Sequence, residues 1–184
     1  MRSHVHKRRY RRDELFNLQP RLAEAEHQGR ILTKEDHAVV SIVKGMTFIL
    51  IELETVDALE MVSVAGRSAI VHGLDDGWND TFIGMYFFTR TGKSTEGATK
   101  LRTRMIEGSL EDPATGAAAS DLASYLSLME GHANETLKFH ITQGVEMGRR
   151  SEIFIDVVLA ADKSISQVHL EGGAVAVMEG RLRV

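Results

Sequence analysis

Apolar and polar positions along the chain follow two periods, and the change between them is the main guide to architecture. From Val39 the run VVSIV, a break at Gly45 and then TFILIEL from Thr47 to Leu53 are rich in β-branched residues and read as two strands with a tight connection. Val56–Met61 reads as one or two helical turns, and Asp75–Gly77 as a turn before Trp78. TFIGMYFFTR (Thr81–Arg90) and KLRTRMI (Lys100–Ile106) are two further strands. Four more strand signals follow in the second half: Leu137–Gln143, Ile153–Leu159, Ser166–Gly172, and AVAVMEG with the closing RLRV.

Between these two sets the period changes. After Asp112-Pro113, the segment ATGAAASDLASYLSLM predicts a helix over Ala114–Met129. Its apolar and small positions (Ala118, Leu122, Tyr125, Leu126, Met129) recur at three and four residues. The opposite face carries only Ser120, Asp121, Ser124 and Ser127, so the helix is expected to be enclosed rather than to lie against solvent. Roughly eight or nine strands around one buried helix predict an α+β lobe, a mixed or antiparallel barrel-like sheet wrapped around a central helix. Upstream, Pro20 followed by RLAEAEHQGR, with Gly29 as a stop, predicts a short connecting helix. The expected division is a basic tail and linker helix over 1–38 and the lobe itself over 39–184.

Length supports one main core: 184 residues suffice for one domain and do not promise two. No apolar run approaches the roughly 20 residues of a membrane span, and no secretory segment follows the N-terminus, which gives a cytoplasmic expectation. Cysteine is absent, so disulfides, thiolate metal sites and thiol nucleophiles are excluded. The formal net charge of −4 conceals an asymmetry, because Arg2, Lys7, Arg8, Arg9, Arg11 and Arg12 crowd one end of an otherwise acidic chain. Such an end is expected to be poorly ordered, and nucleic-acid binding through it is the weakest functional reading. His4-x-His6 has no third ligand nearby in sequence, so no metal site is expected.

Candidate chemistry gathers at Glu111-Asp112-Pro113-Ala114-Thr115-Gly116. Asp112 reads as the helix N-cap with Pro113 at the first helical position, an ordinary helix start. A carboxylate beside unpaired backbone N–H groups and a glycine also offers a place to hold an anion and move its proton. Arg149 and Arg150 could clamp a carboxylate, but charged residues in a turn are usually solvated. His140 is assigned a structural role on the less apolar side of its strand, and Asp121 is out of place in a small-residue helix.

The run EDPATG, the helix ending in Ala123-Ser124-Tyr125-Leu126, the segment QGVEMGRRS (Gln143–Ser151) and the ending GGAVAVMEGRLRV together resemble the second lobe of phenazine-biosynthesis F-type (PhzF-like) proteins. The resemblance covers about residues 39–184. It implies one lobe of a diaminopimelate-epimerase-like fold and a cofactor-independent isomerase that moves a proton on a small carboxylic acid. Asp112 would be the second-lobe catalytic acid, with Thr115, Gly116 and Ala117 as substrate-binding residues. Ala117 stands where the family usually has serine, which removes a hydroxyl contact. Residues 1–38 match none of the family's first-lobe motifs, so the principal glutamate base is expected to come from a first lobe outside this chain, or from an oligomeric partner. The alternative is a non-catalytic folding or interaction module that keeps the lobe without the chemistry.

Overall fold

The computed structural model describes residues 3–181. Nine strands and four helices follow one another as β1 (His4–Arg11), α1 (Arg12–Phe16), α2 (Pro20–His27), β2 (Asp36–Val43), β3 (Met46–Glu52), α3 (Val56–Glu60), β4 (Phe82–Lys93), β5 (Thr99–Glu107), β6 (Leu110–Asp112), α4 (Gly116–Glu130), β7 (Thr136–Gln143), β8 (Ser151–Leu159) and β9 (Ile165–Gly172). All strands belong to one sheet in the order β1-β2-β3-β4-β5-β7-β8-β9, with β6 a short partner of β5. β3 pairs with β4 and β5 with β7 in parallel, and the remaining pairs are antiparallel, so the sheet is mixed.

Helix α4 shows that this sheet curls. It touches β2 and β3 near one end of the strand order and β7, β8 and β9 near the other. Eight strands laid flat would span about 34 Å at roughly 4.8 Å each, whereas a helix with its side chains is only about 10–12 Å wide. Contact with both ends therefore requires the sheet to wrap the helix, as the sequence pattern predicts. The charge-poor composition of α4 is explained in the same way: Ala118, Ala119, Leu122, Ala123 and Leu126 are all buried, and so are Ser120, Asp121, Ser124 and Ser127.

Strand alternation divides the buried residues between two cores. Ala38, Val40, Phe48, Leu50, Tyr86 and Phe88 point to α4, while Val39, Ile49, Ile51, Met85 and Phe87 point to the opposite face. There they meet Leu15 and Leu22 of α1 and α2, and Ala58 and Leu59 of α3. Each fully buried Leu, Ile or Phe contributes about 1.5–3 kcal/mol through burial alone, so a second layer of this size is part of the fold and not a decoration.

Three expectations change at this point. The basic segment is not a poorly ordered tail: residues His4–Arg11 form β1, an antiparallel partner of β2 in the one sheet. Its arginines face the chain's own acids, with Arg8 on Glu14 at 2.6 Å, Arg9 on Asp36 at 3.0 Å, and Arg12 on Glu26 at 2.7 Å and on Glu35 at 2.5 Å. Residues 173–181 form no strand although their composition resembles one, and Val175, Val177 and Met178 are exposed; the last residues of RLRV lie outside the described chain. Asp112 is not the N-cap of α4. It is paired with Met105 in the β5–β6 hairpin, and Thr115 occupies the N-cap position three residues later without a side-chain capping bond. No helix among the described residues is long and apolar enough to cross a membrane.

Candidate functional site

The site grows from the hand-over between β6 and α4. A hairpin brings Glu111 and Asp112 back along β5, where Arg104 holds Glu111 by two parallel bonds of 2.8 Å. The same guanidinium donates to the carbonyls of Leu59 and Val62 at 3.1 and 2.6 Å, tying the end of α3 to the hairpin. Both members of the pair are largely buried, so the partner bonds are what make the charges tolerable there.

On its other side the hairpin is held by Gln143, at the end of β7. The Gln143 side-chain amide donates to the Asp112 carbonyl at 2.7 Å and to the Thr115 hydroxyl at 2.9 Å. Its oxygen accepts from the Thr115 amide at 3.3 Å and from the Tyr86 hydroxyl at 3.0 Å. Thr115 in turn donates through Oγ1 to Asp112 Oδ2 at 2.7 Å, and the Ala114 amide reaches Oδ1 at 3.4 Å. Gln143 and Tyr86 are fully buried, and burial pushes the Tyr86 hydroxyl far above its ordinary pKa, so it stays a neutral donor. The half-buried Asp112 carboxylate is thus fixed by a buried polar network, not left to swing.

Gly144 completes the fit. Its φ is +75°, and a Cβ there would stand 2.4 Å from the Arg149 carbonyl oxygen and 2.9 Å from that of Pro113. Only glycine lets the β7–β8 turn press against the Asp112-Pro113 loop. The Gln-Gly pair and the Asp-Pro-Ala-Thr-Gly run are therefore two halves of one packing unit.

Beside this unit lies an open concavity of about 530 Å3, lined by Ala114, Gly116, Arg150, Ile153, Leu170 and Gly173 among others. Gly116 lines it and opens α4, whose first-turn amides have no intrahelical acceptor. Asp112, Thr115 and Ala117 do not line this concavity, while Gly116 does. Leu170 covers the Gly116 face, since a Cβ on Gly116 would meet its Cδ2 at 2.9 Å. Arg150 lines the concavity and donates to Glu152 at 2.5 Å, while Arg149 is exposed outside it.

His140 stacks on Phe154 with 4.5 Å between ring centroids and bonds Glu152 at 2.6 Å, in keeping with its structural assignment. Burial pushes the Glu152 carboxyl up, but hydrogen bonds from Arg150, His140 and Thr142 prevail and hold its pKa below the ordinary value. The Asp121 side chain sits in the middle of buried α4, and among the described residues no hydrogen bond of normal geometry reaches its oxygens. Burial raises its pKa to about 7, against smaller opposing effects of the Ser3 hydroxyl and the Ile42 backbone. Gln143 and Arg104 are the positioning residues that reading the residues alone does not single out. Gln143 opens the QGVEMGRRS segment without any sign of its role, and Arg104 is one of two arginines inside KLRTRMI.

The family model for phenazine biosynthesis-like proteins, PhzC-PhzF, matches residues 17–180. The chain belongs to the PhzC-PhzF family. An uncharacterized isomerase of Mesorhizobium japonicum is 27% identical over an aligned length of 158 residues, and the match covers 80% of this chain and 49% of that protein. Among solved structures, a PhzF-family phenazine biosynthesis protein of Bacillus anthracis superposes with a TM-score of 0.55 at 15% identity, covering 73% of this chain and 44% of that one. A predicted epimerase of Pseudomonas aeruginosa does so with a TM-score of 0.51 at 22% identity, covering 97% of this chain and 57% of that one. These structures share the fold. The chain spans about half the length of each of these PhzF-like and isomerase relatives.

Proposed function

We propose that this PhzC-PhzF chain supplies the aspartate-bearing half of an isomerase active site, which moves a proton on a small carboxylic acid without a cofactor. The observation that carries this reading is the fixing of Asp112: Thr115 and Gln143 hold its carboxyl group and backbone beside the open N-terminal turn of α4. Acid–base transfer needs a group held within reach of the proton it moves, and rigid support of that kind is what a catalytic carboxylate requires. The α4 amides at Gly116 and Ala117 would receive the substrate carboxylate, aided by the helix dipole. Arg150, on the wall of the adjoining concavity, would supply a cation for the same group.

The second base would come from another lobe, whether in a longer protein, a separate chain or a second copy. Half-length coverage of the relatives supports this, and so does the Asp112 geometry, because the carboxylate lies outside the concavity that Gly116 and Arg150 line. The exposed Leu110, Leu170, Val175 and Val177 are the apolar residues a docked lobe would cover. A non-catalytic interaction module is the competing reading, favoured by one observation: Thr115 already occupies Asp112 Oδ2.

The test mixes the chain with the isolated first lobe of a full-length family member and follows isomerisation of that member's substrate. Turnover is expected with the wild-type chain and should fall by about 10²–10⁴-fold with Asp112→Asn. Turnover unaffected by Asp112→Asn would remove Asp112 from the reaction. Stable assembly of the two lobes with no turnover in either case would favour the interaction module.

A further inference from the structure

Folding of the basic segment into β1 places two histidines beside an acid that is about 70 residues away in sequence. His4 Nε2 is 2.7 Å from Asp75 Oδ2, and His6 Nδ1 is 3.8 Å from the same oxygen. Donor atoms of the three residues all lie within 4.8 Å of one another, the only such group of three among the described residues. We propose that His4, His6 and Asp75 form a binding site for a borderline divalent cation such as Zn2+, independent of the Asp112 half-site.

Ligand chemistry and spacing both fit. Two imidazoles and a carboxylate suit zinc and its neighbours in the first transition row. Ligand atoms about 2.0–2.2 Å from a tetrahedral zinc stand about 3.3 Å apart, and the two contacts to Asp75 bracket that spacing. Small side-chain rotations would therefore seat an ion.

His6 is the member that shows the site to be built. Its side chain is completely buried, and both ring nitrogens have assigned partners. The Asp75 backbone amide, which can only donate, points at Nδ1 at 3.4 Å, so Nδ1 carries a lone pair and Nε2 the proton. Nε2 then donates to Ser41 Oγ at 2.8 Å, Ser41 to Thr47 Oγ1 at 2.6 Å, and Thr47 to Thr81 Oγ1 at 2.8 Å. Thr81 donates to the Phe82 carbonyl at 3.1 Å, which ends the chain on an acceptor. This directed row of hydroxyls fixes the tautomer, the role that outer partners play for metal-bound histidines, and leaves the Nδ1 lone pair on the side of Asp75, where a bound ion would take the place of the long contact from the backbone amide.

Orientation of His4 is fixed separately, by stacking on Trp78 with ring centroids 4.6 Å apart and planes 8° from parallel. His4 and Asp75 remain partly exposed, which leaves an entry path and an open position for water. A bound ion would clip β1 to the 72–78 loop that leads into β4.

The experiment uses the untagged full chain, stripped with chelator and titrated calorimetrically with Zn2+, and with Co2+ while visible ligand-field absorption is followed. One ion per chain is expected, with an accompanying rise in Tm. His4→Gln and Asp75→Asn alter exposed groups without opening the core, and each should weaken binding by about tenfold or more. A His27→Gln/His132→Gln control, which removes exposed histidines elsewhere, should bind like wild type. Absence of binding overturns the proposal, as does wild-type affinity in either His4→Gln or Asp75→Asn, or loss of binding in the control.

Discussion

Two buried ionisable side chains, Asp121 and His37, set opposing pH responses. His37 is buried with neither ring nitrogen hydrogen-bonded, and burial lowers its pKa from 6.5 to about 4. In the unfolded chain it takes up a proton that the folded chain refuses, so its contribution to stability is lost as pH falls from 6.5 towards 4. Asp121 behaves in the reverse sense. Burial raises its pKa from 3.8 to about 7, so its contribution is complete at low pH and is lost as pH rises from 3.8 to about 7. Between about pH 4 and 6.5 the two proton uptakes cancel. Asp121→Asn removes one of them, and unfolding stability should then rise with pH by on the order of 1 kcal/mol per unit across that window. Urea midpoints of wild type and Asp121→Asn, measured at several pH values, decide the matter; parallel pH dependence in the two would show that Asp121 does not hold its proton when folded. Asp121 is legible in the sequence as an acid among alanines and serines. His37 is not, because nothing in DHAVVSIV distinguishes a buried histidine from one at a strand end.

At the scale of elements, the unit made by β6, the α4 N-terminus and the β7–β8 turn is held by close approach as much as by hydrogen bonds. Gly144→Ala would place a methyl group against two carbonyl oxygens at a positive φ, and should cost about 1–3 kcal/mol of stability. It should also displace Pro113, and with it Asp112. The expected result is a lower Tm together with weaker rescue of turnover by an added first lobe. An unchanged Tm would mean that the turn does not press on the loop. Much of this architecture is readable from pattern. The strands from Val39 onward and the enclosed helix declare themselves because their partners are apolar and their periods are regular. β1 does not, since HVHKRRYR lacks an apolar stripe, and its charged side chains meet acids outside the segment, Glu14, Asp36 and Asp75, the last two distant in sequence. AVAVMEG misleads in the opposite direction: its residues favour a strand, but a strand also needs an edge to pair with, and residues 173–181 meet none. The N-terminus of α4 is legible to within two residues, while the role of Asp112 as a hairpin residue instead of a cap depends on its pairing with Met105, a contact that local sequence does not encode.

For the whole molecule, the decisive fact is that a folded lobe with two cores carries a fixed carboxylate but spans only half the length of its relatives. On the proposed reading, a proton-transfer site left with one of its two groups loses most of its rate, since each acid–base participant contributes about 10²–10⁴-fold. The most direct measurement is incorporation of solvent deuterium into the substrate of a full-length family member, catalysed by the chain alone and by the chain with an added first lobe. Exchange at the uncatalysed rate is expected for the isolated chain, and catalysed exchange once the lobe is supplied. Catalysed exchange by the isolated chain, at a rate the added lobe does not change, would contradict the half-site reading.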